Sequence, residues 1–359
     1  MMKILCLCPE DGSWKLLPFY ASAFRRRGVE LHFLDWSVPL GSSLEEVLSG
    51  LPFQPDYLFH PDSGFPFLPD GIAQSIVPTI RLDVDTYAFT RRRIRWASLF
   101  DHVAVCHPGF QVLFQRKLEH PSTLLLAHAV HREYFDLPEI EREFDFGWAG
   151  QLAGPIYKKR AAWLPKLASK FRTNDWSESH DIEGVAGIYR RSRIVVNIGR
   201  DDFPQDANLR VFEALASGAL LLTPLPNELT SLGFVPGVHF VGFHNEAELH
   251  SLVRHYLDDE NARLRIAQTG RAETLQNHTY DNRVDALLQH LERSGPEKRA
   301  PARRWPESRT RLMQLDFFSG HGLLPCSKAQ FRRITGHGFW NTMEGAALLA
   351  RVWMRKPRS

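Results

Sequence analysis

Short apolar runs alternate with helical stretches along most of this chain, and that alternation is what most limits its fold. KILCLC (3–8) meets the polar turn PEDGS, a helical stretch follows over roughly 14–27, Gly28 stops it, and VELHFLDW (29–36) reads as the next strand. Strand, turn, helix and strand within about 30 residues is the βαβ signature. DYLFH (56–60), PTIRLD (78–83), HVAVCH (102–107) and STLLLAHAV (122–130) continue the series, with the basic helical stretch TRRRIRWASLF (90–100) among them. The pattern restarts at FDFGWAG (144–150). It runs through the helical KKRAAWLPKLASKF (158–171), where Pro165 predicts a kink or a break. RIVVNI (193–198), a helix over 208–217, ALLLT, GVHFVGF (237–243) and helices over 246–259 and 260–278 complete it.

The expected fold class is therefore α/β, with two Rossmann-like, doubly wound domains over 1–138 and 139–293 facing across a cleft. Residues 294–309, SGPEKRAPARRWPESR, read as an extended Pro- and Arg-rich linker. Residues 310–359 read as a C-terminal tail with an amphipathic helix near 339–354 and the basic end MRKPRS. That tail suits either packing back on the body or a peripheral membrane contact.

Composition narrows the function classes. A net charge of +3 over 359 residues is too small to argue for nucleic acid as the partner. The four cysteines, Cys6, Cys8, Cys106 and Cys326, are too scattered for a disulfide framework or a zinc site. Cys6 and Cys8 fall on one face of a strand and read as core thiols. The sequence has no 18-residue apolar run, and the apolar start is too short for a signal peptide, so a cytoplasmic location is expected.

One stretch carries unusual chemistry: RVFEALASGALLLTP (210–224). Leu209, Phe212 and Ala216 share one helical face, which should meet the sheet; Arg210, Glu213 and Ser217 share the other. Asp206 or Asn208 would cap the helix start, and Gly218 would stop its end. An Arg and a Glu three residues apart can form an exposed surface pair. The same spacing also suits a nucleotide, with a phosphate at the helix start beside Arg210 and ribose hydroxyls donating to Glu213 one turn on.

NLRVFEALASGALLLT (208–223) resembles the nucleotide-sugar motif in the second domain of GT-B glycosyltransferases of the "group 1" type, and most nearly the CgeB-like, or spore-maturation-protein-like, branch. The similarity runs on through 237–288 and includes LLLAHAVHREYF (124–135) and FDFGWAGQLAGP (144–155). The resemblance implies a hexosyltransferase-type enzyme using a nucleotide sugar as co-substrate, without a metal or other cofactor. It implies that Glu213 meets the ribose, and that Asn208, Leu209 and Arg210 lie against the diphosphate. Gly150 belongs to the loop that precedes Lys158, and Lys158, with Lys159 or Arg160, would supply positive charge to the phosphates. Many relatives carry an acidic residue eight positions before the glutamate; here Gln205 stands there, beside Asp206.

On this reading Lys158 and Arg210 stabilise the leaving diphosphate. An inverting reaction would also need a base from a strand-end loop, for which Asp11, Asp85, His107 and His128 are candidates, with Asp83 and His131 nearby in sequence. Asp83-Val84-Asp85 also spells a D-x-D metal pattern, which the GT-B reading opposes. Arg25-Arg26-Arg27 and Arg91-Arg92-Arg93 read as solvated helix faces; the second could also guide an anionic acceptor. A nucleotide-sugar epimerase and a non-catalytic nucleotide-sugar-binding module remain open, and the acceptor (glycan, lipid-linked, protein or small molecule) is unspecified.

Overall fold

The structure, a computed structural model, describes residues 1–11, 16–62, 64–118, 122–178, 180–297, 299–334 and 339–353. The chain forms two units, Met1–Leu126 with Ala286–Ser359, and Ala127–Asp285.

The first unit is built on a parallel six-stranded sheet. Its strands are β1 (Lys3–Cys6), β2 (Glu30–Phe33), β3 (Tyr57–His60), β4 (Thr79–Asp83), β5 (His102–Val105) and β6 (Thr123–Leu125), in the order β2-β1-β3-β4-β5-β6. The expected first helix spans Leu17–Arg26, and its expected start at 14–15 lies outside the described residues. Gly28, at φ +71°, follows that helix. Cys6 and Cys8 are fully buried thiols, and burial pushes Cys6 well up. The 122–130 stretch is a strand only over Thr123–Leu125; the unit boundary falls at Leu126, not at 138.

The C-terminal segments depart most from expectation. Residues 294–309 are not a simple extended linker. Asp101 accepts hydrogen bonds from the Arg299 and Ala300 amides at 2.6 and 2.9 Å, and Pro301–Arg304 forms a 3-10 turn. The tail forms three helices, Glu307–Gly320, Leu324–Ile334 and Phe339–Trp353. Leu312, Met313, Leu315, Phe317 and Phe318 of the first of these join the core of the first unit with Leu5, Leu58, Trp96 and Phe100. From Leu312 to Ser319 every residue of this helix is buried, polar Gln314, Asp316 and Ser319 included, so its own unit covers it nearly all round. Among the described residues no helix is long and apolar enough to cross a membrane.

The second unit is a parallel sheet of β7 (Phe144–Gly147), β8 (Ser192–Val196), β9 (Leu220–Pro224) and β10 (Val241–Phe243), in the order β10-β9-β8-β7. Two apolar layers cover it. One contains Tyr189, Phe212, Leu215 and Phe234, the other Trp148, Leu164, Phe243 and Val253. The helix Lys158–Ala168 runs through Pro165 without a break.

Candidate functional site

The helix Leu209–Ala216 follows β8 and leads into β9. Asn208 caps it in an extended conformation, its side-chain oxygen accepting from the Arg210 amide at 3.1 Å. Gly218, at φ +72°, ends it. The expected outward polar face is absent: Glu213 and Ser217 are buried along with Val211, Phe212, Ala214, Leu215 and Ala216. Packing on both sides outweighs the simple two-face pattern.

That burial rules out the exposed-pair reading of the Arg210–Glu213 spacing. Glu213 is 4% exposed, and among the described residues its carboxylate has no hydrogen bond and no ion pair. Burial pushes its pKa up to about 7, against the opposing pull of Arg210. Tyr189 lies beside it; the Ala149 backbone hydrogen-bonds the Tyr189 hydroxyl, and burial, then Glu213, raises the phenol. Arg210 is half-buried, and among the described residues its buried Nε has no hydrogen-bond partner. This is no surface ion pair. It is an acceptor-only carboxylate and a forked donor, both unsatisfied, one helical turn apart.

Gly150 explains how the guanidinium is placed. It sits in the loop after β7 at φ +138°, and a Cβ there would lie 2.9 Å from Arg210 Nη1. Only glycine allows both the conformation and the approach. The adjoining strand ends form a polar floor that sequence spacing did not reveal. Asn197 Nδ2 donates to Thr223 Oγ1 at 3.0 Å, Asn208 Nδ2 to Asn197 Oδ1 at 3.4 Å, and Asn227 Nδ2 to Thr223 Oγ1 at 3.3 Å. The legible signal was a polar residue closing each apolar run, Asn197 after RIVV and Thr223 after LLL.

The three expected cations divide. Arg160 is 1% exposed and donates to the Ile198 carbonyl at 2.8 and 3.1 Å and to the Gln151 carbonyl at 2.6 Å. It ties the loops after β7 and β8 together. Burial, then Arg210, lowers its pKa to about 10. Lys158 and Lys159 are exposed at the start of their helix, where Asp201 accepts from their amides at 2.6 and 3.4 Å. The neutral Gln205 lies half-buried in the loop ahead of Asn208, and Leu209 is half-buried.

The base candidates scatter. Asp11 is exposed and accepts from Trp36 Nε1 at 2.6 Å. Asp85 is exposed and accepts from the Tyr87 hydroxyl at 2.9 Å; the Tyr87 ring lies 5.6 Å from the buried His107 ring, so Tyr87 links these two candidates. His128 and His131 belong to the second unit, with His131 packed on Tyr134.

Asp83 is closed off. Both its oxygens accept from Arg81, at 2.7 and 2.9 Å, and one also from Arg93 at 3.0 Å, all in the interior. Arg81 Nη1 donates to His60 Nδ1 at 3.0 Å; burial and Arg81 push His60 down to about 3. Arg93 also pairs with Asp62, and Arg92 with the buried Asp316, so only Arg91 of that triplet is exposed. The expectation of a solvated basic face there is corrected: two of the three arginines neutralise buried carboxylates. In the other triplet, Arg25 pairs with Glu10 and both are exposed.

Residues 136–289 match the family model described as glycosyl transferase-like. No curated protein matches the chain. Among solved structures, HepE of Anabaena in complex with UDP and glucose is similar at a TM-score of 0.58 and 12% identity, over 82% of this chain and 100% of that one. A glycosyltransferase from Rickettsia africae is similar at 0.56 and 8%, over 82% and 99%. Sucrose-phosphate synthase from Thermosynechococcus elongatus is similar at 0.54 and 12%, over 82% and 100%. The fold is that of the GT-B glycosyltransferases. Within it, Glu213, Arg210 and Gly150 all lie in the stretch that matches the glycosyl transferase-like model, at the carboxyl ends of β7 and β8, where open α/β sheets bind ligands.

Proposed function

We propose that the protein is a glycosyltransferase that moves a hexose from a UDP- or GDP-linked donor to an acceptor, in the cytoplasm and without a metal. The observation that carries this reading is the buried Glu213 carboxylate, without a hydrogen-bond or ion-pair partner among the described residues, one turn from Arg210 at the helix start. A carboxylate in that state matches the paired hydroxyl donors of a ribose. Arg210, the exposed Lys158 and the helix-start amides match a diphosphate, whose charge must be stabilised as it leaves. HepE, a similar fold, is described in complex with UDP-glucose, which agrees with a donor of this kind. Asp83, held by Arg81 and Arg93, has no oxygen to spare for a D-x-D metal. The CgeB-like branch and a role in polysaccharide assembly are part of the same proposal.

The test is turnover of UDP-glucose and GDP-mannose by the full chain, with and without EDTA. Slow release of free sugar and nucleoside diphosphate, unchanged by EDTA, is expected. An epimerised nucleotide sugar with no release would show an epimerase. Binding without any turnover, with a range of acceptors supplied, would show a binding module.

A further inference from the structure

The first unit carries a surface patch that its packing does not account for. It forms where the turn Pro301–Arg304 packs against the 3-10 turn Ile72–Gln74. Arg303 Nη1 donates to the Ala73 and Ser75 carbonyls at 3.2 and 2.9 Å, which lays that guanidinium beside the Ile76 loop. Ile76 is 84% exposed. It borders one groove together with Trp305, and the Arg309 guanidinium stacks on the Trp305 ring at 3.8 Å. Arg303, Arg304 and Arg309 are exposed, and among the described residues none of them forms an ion pair. Of the acids that line the groove, Asp70 and Glu307 are held by Arg311 and Arg333. That leaves the exposed Glu45 against three arginines.

Each kind of group narrows the partner. Arginines without a carboxylate call for an anion, and the guanidinium fork matches phosphate oxygens. A soluble polyanion would satisfy the arginines and leave Ile76 in water. An isoleucine this exposed, beside an indole and its stacked cation, calls for hydrocarbon just behind the anionic layer. An anionic bilayer offers both: phosphate head groups for the arginines, acyl chains for Ile76 and the interface between them for Trp305. We propose that this patch docks the protein on an anionic membrane surface, through the Pro301–Arg304 turn, Arg309 and the Ile76 loop. The proposal does not rest on the nucleotide-sugar reading.

The test is sedimentation of the full chain with vesicles of phosphatidylcholine alone, and of phosphatidylcholine with phosphatidylglycerol. Binding to the second kind only, weakened by added salt, is expected. Arg304→Ala and Arg309→Ala should each weaken it about fivefold, and Ile76→Ser about tenfold. Arg254→Ala removes the same charge from an exposed helix position in the second unit and should leave binding unchanged. All four side chains are exposed, so each variant should keep the wild-type Tm and the wild-type affinity for UDP. No preference for the anionic vesicles would overturn the proposal, and so would a loss in Arg254→Ala equal to that in the arginine variants of the patch. Unchanged binding in Ile76→Ser would overturn it as well; heparin bound as tightly as the vesicles would then mark the patch as a seat for a soluble polyanion.

Discussion

Each unit buries an acid near the carboxyl ends of its strands, and the two are opposite in state. Asp83, at the end of β4, is saturated by Arg81 and Arg93. Glu213 has its arginine one turn away and, among the described residues, no hydrogen bond or ion pair to its carboxylate. A saturated buried pair is a structural device, because removing either partner strands the other charge. An unsaturated buried carboxylate costs stability and persists where something else completes it. The difference separates a scaffold from a site more sharply than either motif does.

The largest effect should come from breaking the saturated side. Asp83→Asn leaves Arg81 buried with its main partner gone, and should destabilise the first unit by about 3–5 kcal/mol, read as a lower midpoint of that unit's transition in urea. An unchanged midpoint would mean that the Arg81–Asp83 pair is not what holds this corner.

On the unsaturated side the sign reverses with pH. The unfolded chain loses the Glu213 proton near 4.5, whereas the folded chain holds it to about 7. The contribution of Glu213 is therefore intact below 4.5, declines as pH rises from 4.5 to 7, and is least favourable above 7. Glu213→Gln should match wild type at pH 4.5 and exceed it at pH 8 by an amount on the order of 3 kcal/mol. A variant less stable than wild type at pH 8 would show that the carboxylate has a partner in the fold.

Gly150→Ala should cost about 1–3 kcal/mol, from the strained backbone at φ +138° and the approach of Arg210. It should also weaken UDP binding by displacing the guanidinium, which separates the site from a merely tolerant loop. The smallest effect belongs to Arg91, the exposed member of its triplet. Arg91→Ala should change stability by less than about 0.5 kcal/mol, while Arg93→Ala should approach the Asp83 variant.

The two sides were not equally legible. The alternation of strands and helices was readable because local apolar periodicity sets it, and RVFE carried the proposed second-unit site because Arg210 and Glu213 are near in sequence. Glu213's isolation was not readable, since it depends on Tyr189, Ala149 and Gly150 arriving from other elements. Arg81 and Asp83 alternate on one strand face, but nothing local says that this face is sealed. The C-terminal helix was the hardest part. Asp316 finds Trp96 at 3.1 Å and Arg92 at 3.4 Å across more than 200 residues of chain, and a local pattern cannot show a partner that far away.

The central claim is that Glu213 is left open for a ribose. Isothermal titration of UDP into wild type and Glu213→Gln at pH 8, where the wild-type carboxylate is ionised, tests it most directly. A loss of about 2 kcal/mol in the variant, roughly thirtyfold in Kd, is predicted, with the variant folded and at least as stable as wild type. Equal UDP affinity in the two proteins would contradict the account.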